Sequence, residues 1–457
     1  MSGQSSPAWR YLLPALAAAA VFVVFPMLYT LSLGFTNYSA RNLLEFERAR
    51  AQLLEERLVQ PGSERAFTLH ADGARWRVAL PAEGAQAALV TAPLTLDTAE
   101  PRAVPLQPLA DTALTPAATP AQVVERVPAL RALQLTTPDG QTWSLQSLRH
   151  VAPSRPLYTL RDDGALVDTL TATAYRPDMV EGFFTSEAGD QLQPGFRVAV
   201  GWRHYQRIFS DGRFQEPFAS VLLWTVAFSA LTVLGVTALG LLLAVLLNWE
   251  ALEGRALYRV VLFLPYAVPG FISILVFKGL FNQNLGEINL ILNGLFGIQP
   301  AWFTDPALAR AMLLFVNIWL GFPYMMVLCS GLIKAIPGDL VEASAVLGAG
   351  PLTHFRRVTL PLILKPLTPL LISAFAFNFN NFVLVSLLTA GGPDRVDTAL
   401  PVGGTDILVS YTWRIAFQDS GQQFGLAAAI STVIFAIVAA ITLVQMRFTR
   451  INDEPAR

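Results

Sequence analysis

The stretch Glu342-Ala343-Ser344-Ala345-Val346-Leu347-Gly348-Ala349-Gly350, followed by Leu360-Pro361, lies between two long apolar runs near 308–333 and 362–389. Lys334, His354, Arg356 and Arg357 cluster around it, and that density of basic groups is too costly for hydrocarbon. The segment therefore reads as a short helix-turn-helix outside a membrane that both neighbouring runs cross. Ile336-Pro337-Gly338-Asp339 forms the entering turn, and Asp339 is placed to cap the first short helix. Glu342 is then an early-turn carboxylate open to an arginine on a partner. Gly348 and Gly350 break that helix, and Pro351 suits the first position of the next.

The composition agrees with a membrane protein. Apolar residues make up 53% of the chain and charged residues only 14%, where soluble domains carry about a quarter charged. A spanning helix needs roughly 20 mostly apolar residues. Segments near 12–35, 218–247, 258–281, 308–333, 362–389 and 423–446 qualify, so the expected fold is a polytopic α-helical membrane protein with about six transmembrane helices.

Basic residues near span ends set orientation. Arg10, the pair Arg255 and Arg259, the cluster Lys334, Arg356 and Arg357, and the pair Arg447 and Arg450 fall on one side of six spans. That side is expected to be the cytoplasm, with both termini inside. The first apolar run exceeds the 7–15 residues of a signal peptide and lacks a clean A-x-A site after it, so it reads as a retained anchor. The only cysteine, Cys329, falls within a span, which leaves none for disulfides in the exported loop.

That loop, 37–216, is too long to be a structureless connection. Asp72-Gly73, Asp139-Gly140 and Asp163-Gly164 each sit between alternating runs, a strong hairpin signal because the turn needs positive φ. An inserted, mostly-β extracytoplasmic domain is expected, with a helix near 44–57. The Ala/Pro/Thr-rich part from about 81 to 128 is expected to be partly flexible. A passive domain and a docking platform for a soluble partner both fit. No metal-ligand cluster, nucleophile triad or paired-carboxylate signature stands out in the loop. The expected partition is 1–36 for the N-terminus and first span, 37–216 for the outer domain, 217–446 for the permease core with the loop 334–361, and 447–457 for the C-terminal tail.

Polar groups inside spans are functional candidates by default. One cluster places Asn317, Trp319, Gly321 and Tyr324 around Pro323. The other, Phe375 through Phe382, packs three amides among four aromatics. At 3.6 residues per turn Phe377, Asn378 and Asn381 share a face. One ring and two amides suit an uncharged sugar, and neither cluster has a carboxylate or a basic group. The alternative is interhelical hydrogen bonding, a common role of Asn in membranes. Recurring prolines, among them Pro265, Pro269, Pro323, Pro366 and Pro369, fit broken helices lining a cavity. No G-x4-G-K-[ST] occurs, so no nucleotide-binding P-loop is present.

The pattern E-A-[AS]-x3-G-x-G with a distal Leu-Pro resembles the EAA loop of bacterial ABC import permeases. In that family the loop docks on a separate ATPase subunit. From Gly201 to Ile451 the chain resembles MalF-type permease subunits of maltose/maltodextrin importers. Leu264-Pro265-Tyr266-Ala267-Val268-Pro269, Trp319-Leu320-Gly321-Phe322-Pro323-Tyr324, Phe377 through Phe382 and Gly391-Gly392-Pro393-Asp394-Arg395 carry the likeness. The first span and its exit, Phe35-Thr36-Asn37-Tyr38-Ser39, also look similar.

The resemblance implies a bacterial inner-membrane importer with a second, MalG-type permease, a MalK-type ATPase dimer and a periplasmic maltose-binding protein. It implies no enzyme activity and no cofactor in this chain, with ATP and Mg2+ bound by the ATPase subunits. No metal site and no nucleic-acid partner are expected. Family sugar contacts map to Asn317, Leu320, Gly321, Tyr324, Phe377, Asn378 and Asn381. The coupling contacts map to Glu342, Ala343, Ser344 and Gly348. Ala374 stands where the family can carry a serine, and Phe322 replaces a tyrosine beside the site. Another neutral oligosaccharide or polyol is the alternative substrate. A secondary transporter and an anchored sensor fit less well, the first for want of an intramembrane carboxylate and the second because six spans exceed the need.

Overall fold

The computed structural model describes residues 8–59, 62–83, 87–97, 101–109, 114–249, 251–396, 398, 401–418 and 421–450. It divides into two compact units, one of residues 1–40 with 198–457 and one of Arg41–Arg197.

The chain begins with α1 (Ala8–Ala19), which runs through a π turn, Ala20–Val24, into α2 (Phe25–Leu33). Together they supply an apolar span over Tyr11–Leu33. Side chains such as Phe22 and Phe25 are exposed, as a lipid-facing helix requires.

After α2 the backbone of Asn37 donates to the Val198 carbonyl at 3.1 Å, and the Asn37 side chain accepts from the Val198 N–H at 2.8 Å. The chain thus enters and leaves the inserted unit side by side. The expected boundaries of 37 and 216 move inward to Arg41 and Arg197, because residues on either side of the insertion pair with each other.

Within the inserted unit, α3 (Phe46–Glu55) occupies the stretch expected to be helical and buries Ala49 and Leu53. Strands β1 (Arg57–Val59), β2 (Arg65–Ala66), β3 (Thr68–Asp72), β4 (Arg75–Leu80), β5 (Leu89–Thr91) and β6 (Arg102–Pro108) follow. Helix α4 (Pro120–Arg131) then leads to β7 (Leu133–Thr136), β8 (Thr142–Leu145) and β9 (His150–Pro156). These form one sheet in the order β1-β9-β8-β7-β6-β5-β4-β3, with β2 also on β9. A second sheet holds β10 (Tyr158–Leu160), β11 (Leu166–Asp168), β12 (Ala174–Asp178) and β13 (Phe183–Ser186) in sequence order.

All three Asp-Gly turns form hairpins: β3–β4, β7–β8 and β10–β11. Their glycines Gly73, Gly140 and Gly164 have φ of 63°, 78° and 79°, a region that a side chain disfavours. The Ala/Pro/Thr-rich part departs from expectation. It contains β5, β6 and α4, and β6 pairs parallel to β7 through the α4 crossover. Thr119 caps α4 in a capping box with Gln122. The helix drops Val123 and Leu130 onto Leu69, Val78, Leu80, Leu106, Leu135 and Trp143. Residues 84–86, 98–100 and 110–113 of that part lie outside the described residues.

The other unit continues with α5 (Arg203–Ser210), α6 (Gly212–Asn248), α7 (Arg255–Ala267), α8 (Gly270–Leu280), α9 (Glu287–Phe296) and α10 (Pro306–Lys334). Then come α11 (Gly338–Val346), α12 (Pro351–His354), α13 (Leu360–Phe379), α14 (Phe382–Leu388), α15 (Leu408–Trp413) and α16 (Phe424–Arg450). Among the described residues five helices are long and apolar enough to span a membrane, and the pair α7 and α8 makes a sixth, bent by 90°.

That bend breaks the span expected at 258–281 at one of the prolines read as fitting broken helices. Val268 precedes Pro269, whose ring bars it from helical geometry, and it adopts φ −88°, ψ 132°. The span expected at 362–389 is likewise interrupted. Helix α13 ends at Phe379, Asn380 takes φ −111°, and the side chain of Asn381 caps α14.

Helices α6 and α10 touch backbone to backbone. A Cβ at Gly240 would lie 2.8 Å from the Met325 Cβ and 2.9 Å from the Met326 nitrogen. Small residues of this kind let membrane helices close up where apolar burial gives no net drive.

The segment after α14 is held by charge. Arg414 donates through Nη2 to Asp394 at 2.6 Å and through Nη1 to Asp406 at 3.2 Å. Asp406 also accepts from the Gly403 N–H at 2.7 Å and the Ser410 hydroxyl at 2.7 Å. A Cβ on Gly391 would fall 2.2 Å from Asp406 Oδ1, which explains a glycine in that Gly-Gly-Pro-Asp stretch. Burial pushes the Asp406 carboxyl up to about 6, with Arg414 opposing.

Candidate functional site

A cavity of about 540 Å3 opens among α6, α7, α8, α10, α13 and α14, within the range of small-ligand sites. Asn317, Leu320, Gly321, Tyr324, Phe377, Asn378 and Asn381 all line it. The structure therefore gathers every candidate site residue of the two intramembrane clusters around one space. The helical-wheel argument reaches the right grouping through the wrong geometry. Asn381 lies beyond the end of α13, in the tight turn where its N–H donates to the Asn378 carbonyl at 3.2 Å.

Three amides form a junction at the cavity wall. Asn317, buried on α10, donates to the side-chain oxygen of Asn378 at 2.7 Å and to the Thr232 hydroxyl on α6 at 3.1 Å. Its own side-chain oxygen accepts from Asn381 at 3.2 Å. Asn378 spends one N–H on the Ala374 carbonyl at 2.8 Å. A carboxamide has two N–H groups, so Asn317 has none left, whereas Asn378 and Asn381 keep one each. Interhelical bonding and ligand recognition, alternatives in the sequence, are divided here among neighbouring amides.

Aromatic faces complete the space. Phe377 is 71% exposed, the highest exposure of any aromatic lining the cavity. Tyr324 stacks with Tyr266 at 6.4 Å between centroids and 24° between planes. Tyr266, Phe271, Thr232 and Ser373 also line the cavity but were not among the expected contacts. Tyr266 lies in the proline-flanked stretch, which could have flagged it. Thr232 carries no signal, being one of several hydroxyls in a long apolar run.

No described residue of this lining is acidic, basic or a histidine. Ala374 faces the cavity, but Phe322 does not line it. It is buried and packs edge-on against Trp319 at 5.7 Å, because it lies on the opposite side of α10 from Tyr324.

The second candidate element is the α11–α12 loop. Glu342 and Ala343 are exposed on α11, and Gly348, at φ 74°, ends the helix in the left-handed conformation that favours glycine. Ser344 donates to the Val341 carbonyl at 2.8 Å and lies 2.7 Å from His354 Nδ1. A hydroxyl has one proton, so both bonds form together when His354 Nδ1–H donates to Ser344. This ties α11 to α12. The expected cap is corrected: Pro337 occupies the N-cap, and Asp339 lies within the first turn, two residues too late to cap. Pro351 does open α12. Val346 and Leu347, 88% and 86% exposed, leave an apolar end on this charged loop.

A family model described as the maltose transport system permease protein MalF P2 domain matches residues 44–201. A second, the binding-protein-dependent transport system inner membrane component, matches 236–453, which includes the α11–α12 loop and every described residue of the cavity lining but Thr232. The chain is 50% identical over 459 residues to a maltose/maltodextrin transport system permease protein MalF of Photorhabdus laumondii, covering 99% of this chain and 88% of the other. The chain belongs to the MalF family of transport permeases. Proteins of the same description from Klebsiella aerogenes and Escherichia coli K12 are 48% and 49% identical, over 99% and 97% of this chain and 88% and 87% of theirs. The chain is thus a multi-pass inner-membrane permease subunit of the ABC importer type rather than an enzyme.

Proposed function

We propose that the chain passes maltose and maltodextrins through the membrane by way of the α6–α14 cavity. The observation that carries this reading is the lining itself. Aromatic side chains share the lining with two amides that each keep an unspent N–H, and no described residue there is charged. Rings pack against the apolar face of a pyranose, amides donate to its hydroxyl oxygens, and an ionic ligand finds no counter-charge.

In this reading Asn317, Leu320, Gly321, Tyr324, Phe377, Asn378 and Asn381 contact the sugar. A MalG-type permease closes the path, and a periplasmic maltose-binding protein delivers sugar to the inserted domain. A MalK-type ATPase dimer receives the α11–α12 loop, through Glu342 and the apolar end at Val346 and Leu347. ATP and Mg2+ bind there and not in this chain. Both termini lie in the cytoplasm, on the side of the loop. Ala374, standing where the family can carry a serine, favours a second reading in which another neutral oligosaccharide or polyol is carried.

The test is reconstitution with the neighbouring permease, ATPase and binding protein, followed by uptake of labelled maltotriose. Uptake that requires both ATP and the binding protein supports the proposal. An assembled complex that hydrolyses ATP without moving maltotriose refutes the substrate.

A further inference from the structure

At the end of α10 that leads into the α11–α12 loop, two adjoining cavities of about 660 and 240 Å3 share Arg259 and Lys334 in their walls. Arg255 lines the larger one. Among the described residues none of these three cations forms an ion pair. Arg259 is half-buried. It gives one Nη2 bond to the Leu247 carbonyl at 3.4 Å, and its Nε is buried without any partner. Among the described residues of the two linings, three cations, Arg255, Arg259 and Lys334, stand beside one carboxylate, Glu253.

The backbone adds to this field. Helix α7 starts from Gly254, which has no side chain to cap it, so its first N–H groups lie uncapped at the wall of the larger cavity, where the helix dipole favours an anion. The smaller cavity has an apolar side of Leu247, Met326 and Val327, of which Val327 is open. Beside it α7 exposes Leu257, Val260 and Leu264, each more than half open, as a lipid-facing surface does.

A cationic chamber with an apolar side, at the end of spanning helices, matches one class of ligand. We infer that this double cavity binds an anionic phospholipid, with its phosphate held by Arg255, Arg259 and Lys334. The first methylenes of the lipid then lie on Leu247, Met326 and Val327. The inference rests on the permease reading only in placing the lipid in the cytoplasmic leaflet.

The experiment is native mass spectrometry of the full-length chain in detergent. Phosphatidylglycerol, phosphatidylcholine and inorganic phosphate are added separately. One phosphatidylglycerol is expected to survive activation that strips phosphatidylcholine. Arg255 and Lys334 are exposed, so Arg255→Gln/Lys334→Gln leaves the fold intact. It weakens retention about 30-fold, as expected for removing two cations at a membrane surface. Arg259→Lys, which keeps the charge, retains the lipid. Equal retention of the two lipids, or a double variant that binds like the parent, overturns the inference. Displacement of phosphatidylglycerol by millimolar inorganic phosphate overturns it in favour of a free-anion site. The readout needs no transport, so it stands or falls apart from maltotriose uptake.

Discussion

Replacing Asn317 with alanine removes the centre of the amide junction. Three interhelical hydrogen bonds disappear, to Thr232, Asn378 and Asn381. Such bonds inside membranes average about 0.6 kcal/mol and reach about 1.7, so the loss amounts to roughly 2–5 kcal/mol. The lower part of that range applies, because the released Asn381 amide is half-exposed to the cavity and water can satisfy it. A loss of about 2–3 kcal/mol lowers the melting temperature of a unit this size by roughly 4–10 °C. The released Asn378 and Asn381 no longer hold their spare N–H groups toward the cavity, so maltotriose uptake falls at least tenfold, about 1.4 kcal/mol of lost recognition. Thermal unfolding in detergent and uptake in proteoliposomes measure the two effects. Asn381→Ala removes one of the three bonds and also the cap of α14, and is expected to cost about 1–2 kcal/mol. Should Asn317→Ala melt within about 1 °C of the parent and transport normally, the junction neither holds the helices nor orients the site.

Tyr324→Ala removes half of the Tyr266–Tyr324 stack and is expected to reduce uptake several-fold while the purified complex keeps its subunits; loss of the complex on gel filtration would contradict a ligand role. Glu342→Lys, on the exposed face of α11, should insert normally and abolish ATP-dependent uptake, and wild-type uptake would remove this loop from coupling. Gly240→Ala places a Cβ 2.8 Å from Met325 Cβ and is expected to destabilise the α6–α10 contact by about 1–3 kcal/mol, read as a lower melting temperature. Asp406 has a folded pKa of about 6 against an ordinary 3.8. The folded state therefore binds its proton more tightly, and stability falls as pH rises from about 4 to 6, then levels off. The span of about two units corresponds to roughly 3 kcal/mol. Melting scans from pH 4 to 7 should show this slope in the parent and lose it in Asp406→Asn.

Much of this architecture was legible because hydrophobic patterning speaks directly about solvent. The apolar runs revealed the spans, and the three Asp-Gly pairs revealed their hairpins because positive φ singles out glycine. Hydropathy is silent about direction, and so it passed over the elbow between Ala267 and Gly270, where every residue is apolar but Val268 is forced out of the helix. The strands β5 and β6 escaped because their register depends on distant partners, β6 reaching β7 only across α4. In the site, the amides and Phe377 announced themselves as costly or conspicuous within a span. Tyr266 and Phe271 did not, since only the bend between α7 and α8 brings them to the cavity.

The paired backbone at Asn37 and Val198 bears on how this protein tolerates change. The two threads that carry the chain out of α2 and back toward α5 are fastened to each other there, as a closed stitch. Whatever is sewn between those threads can be enlarged, exchanged or cut down to a short linker without asking α2 and α5 to move. The inserted domain is thus free to diverge in sequence, while the helices keep to the slower pace set by their packing.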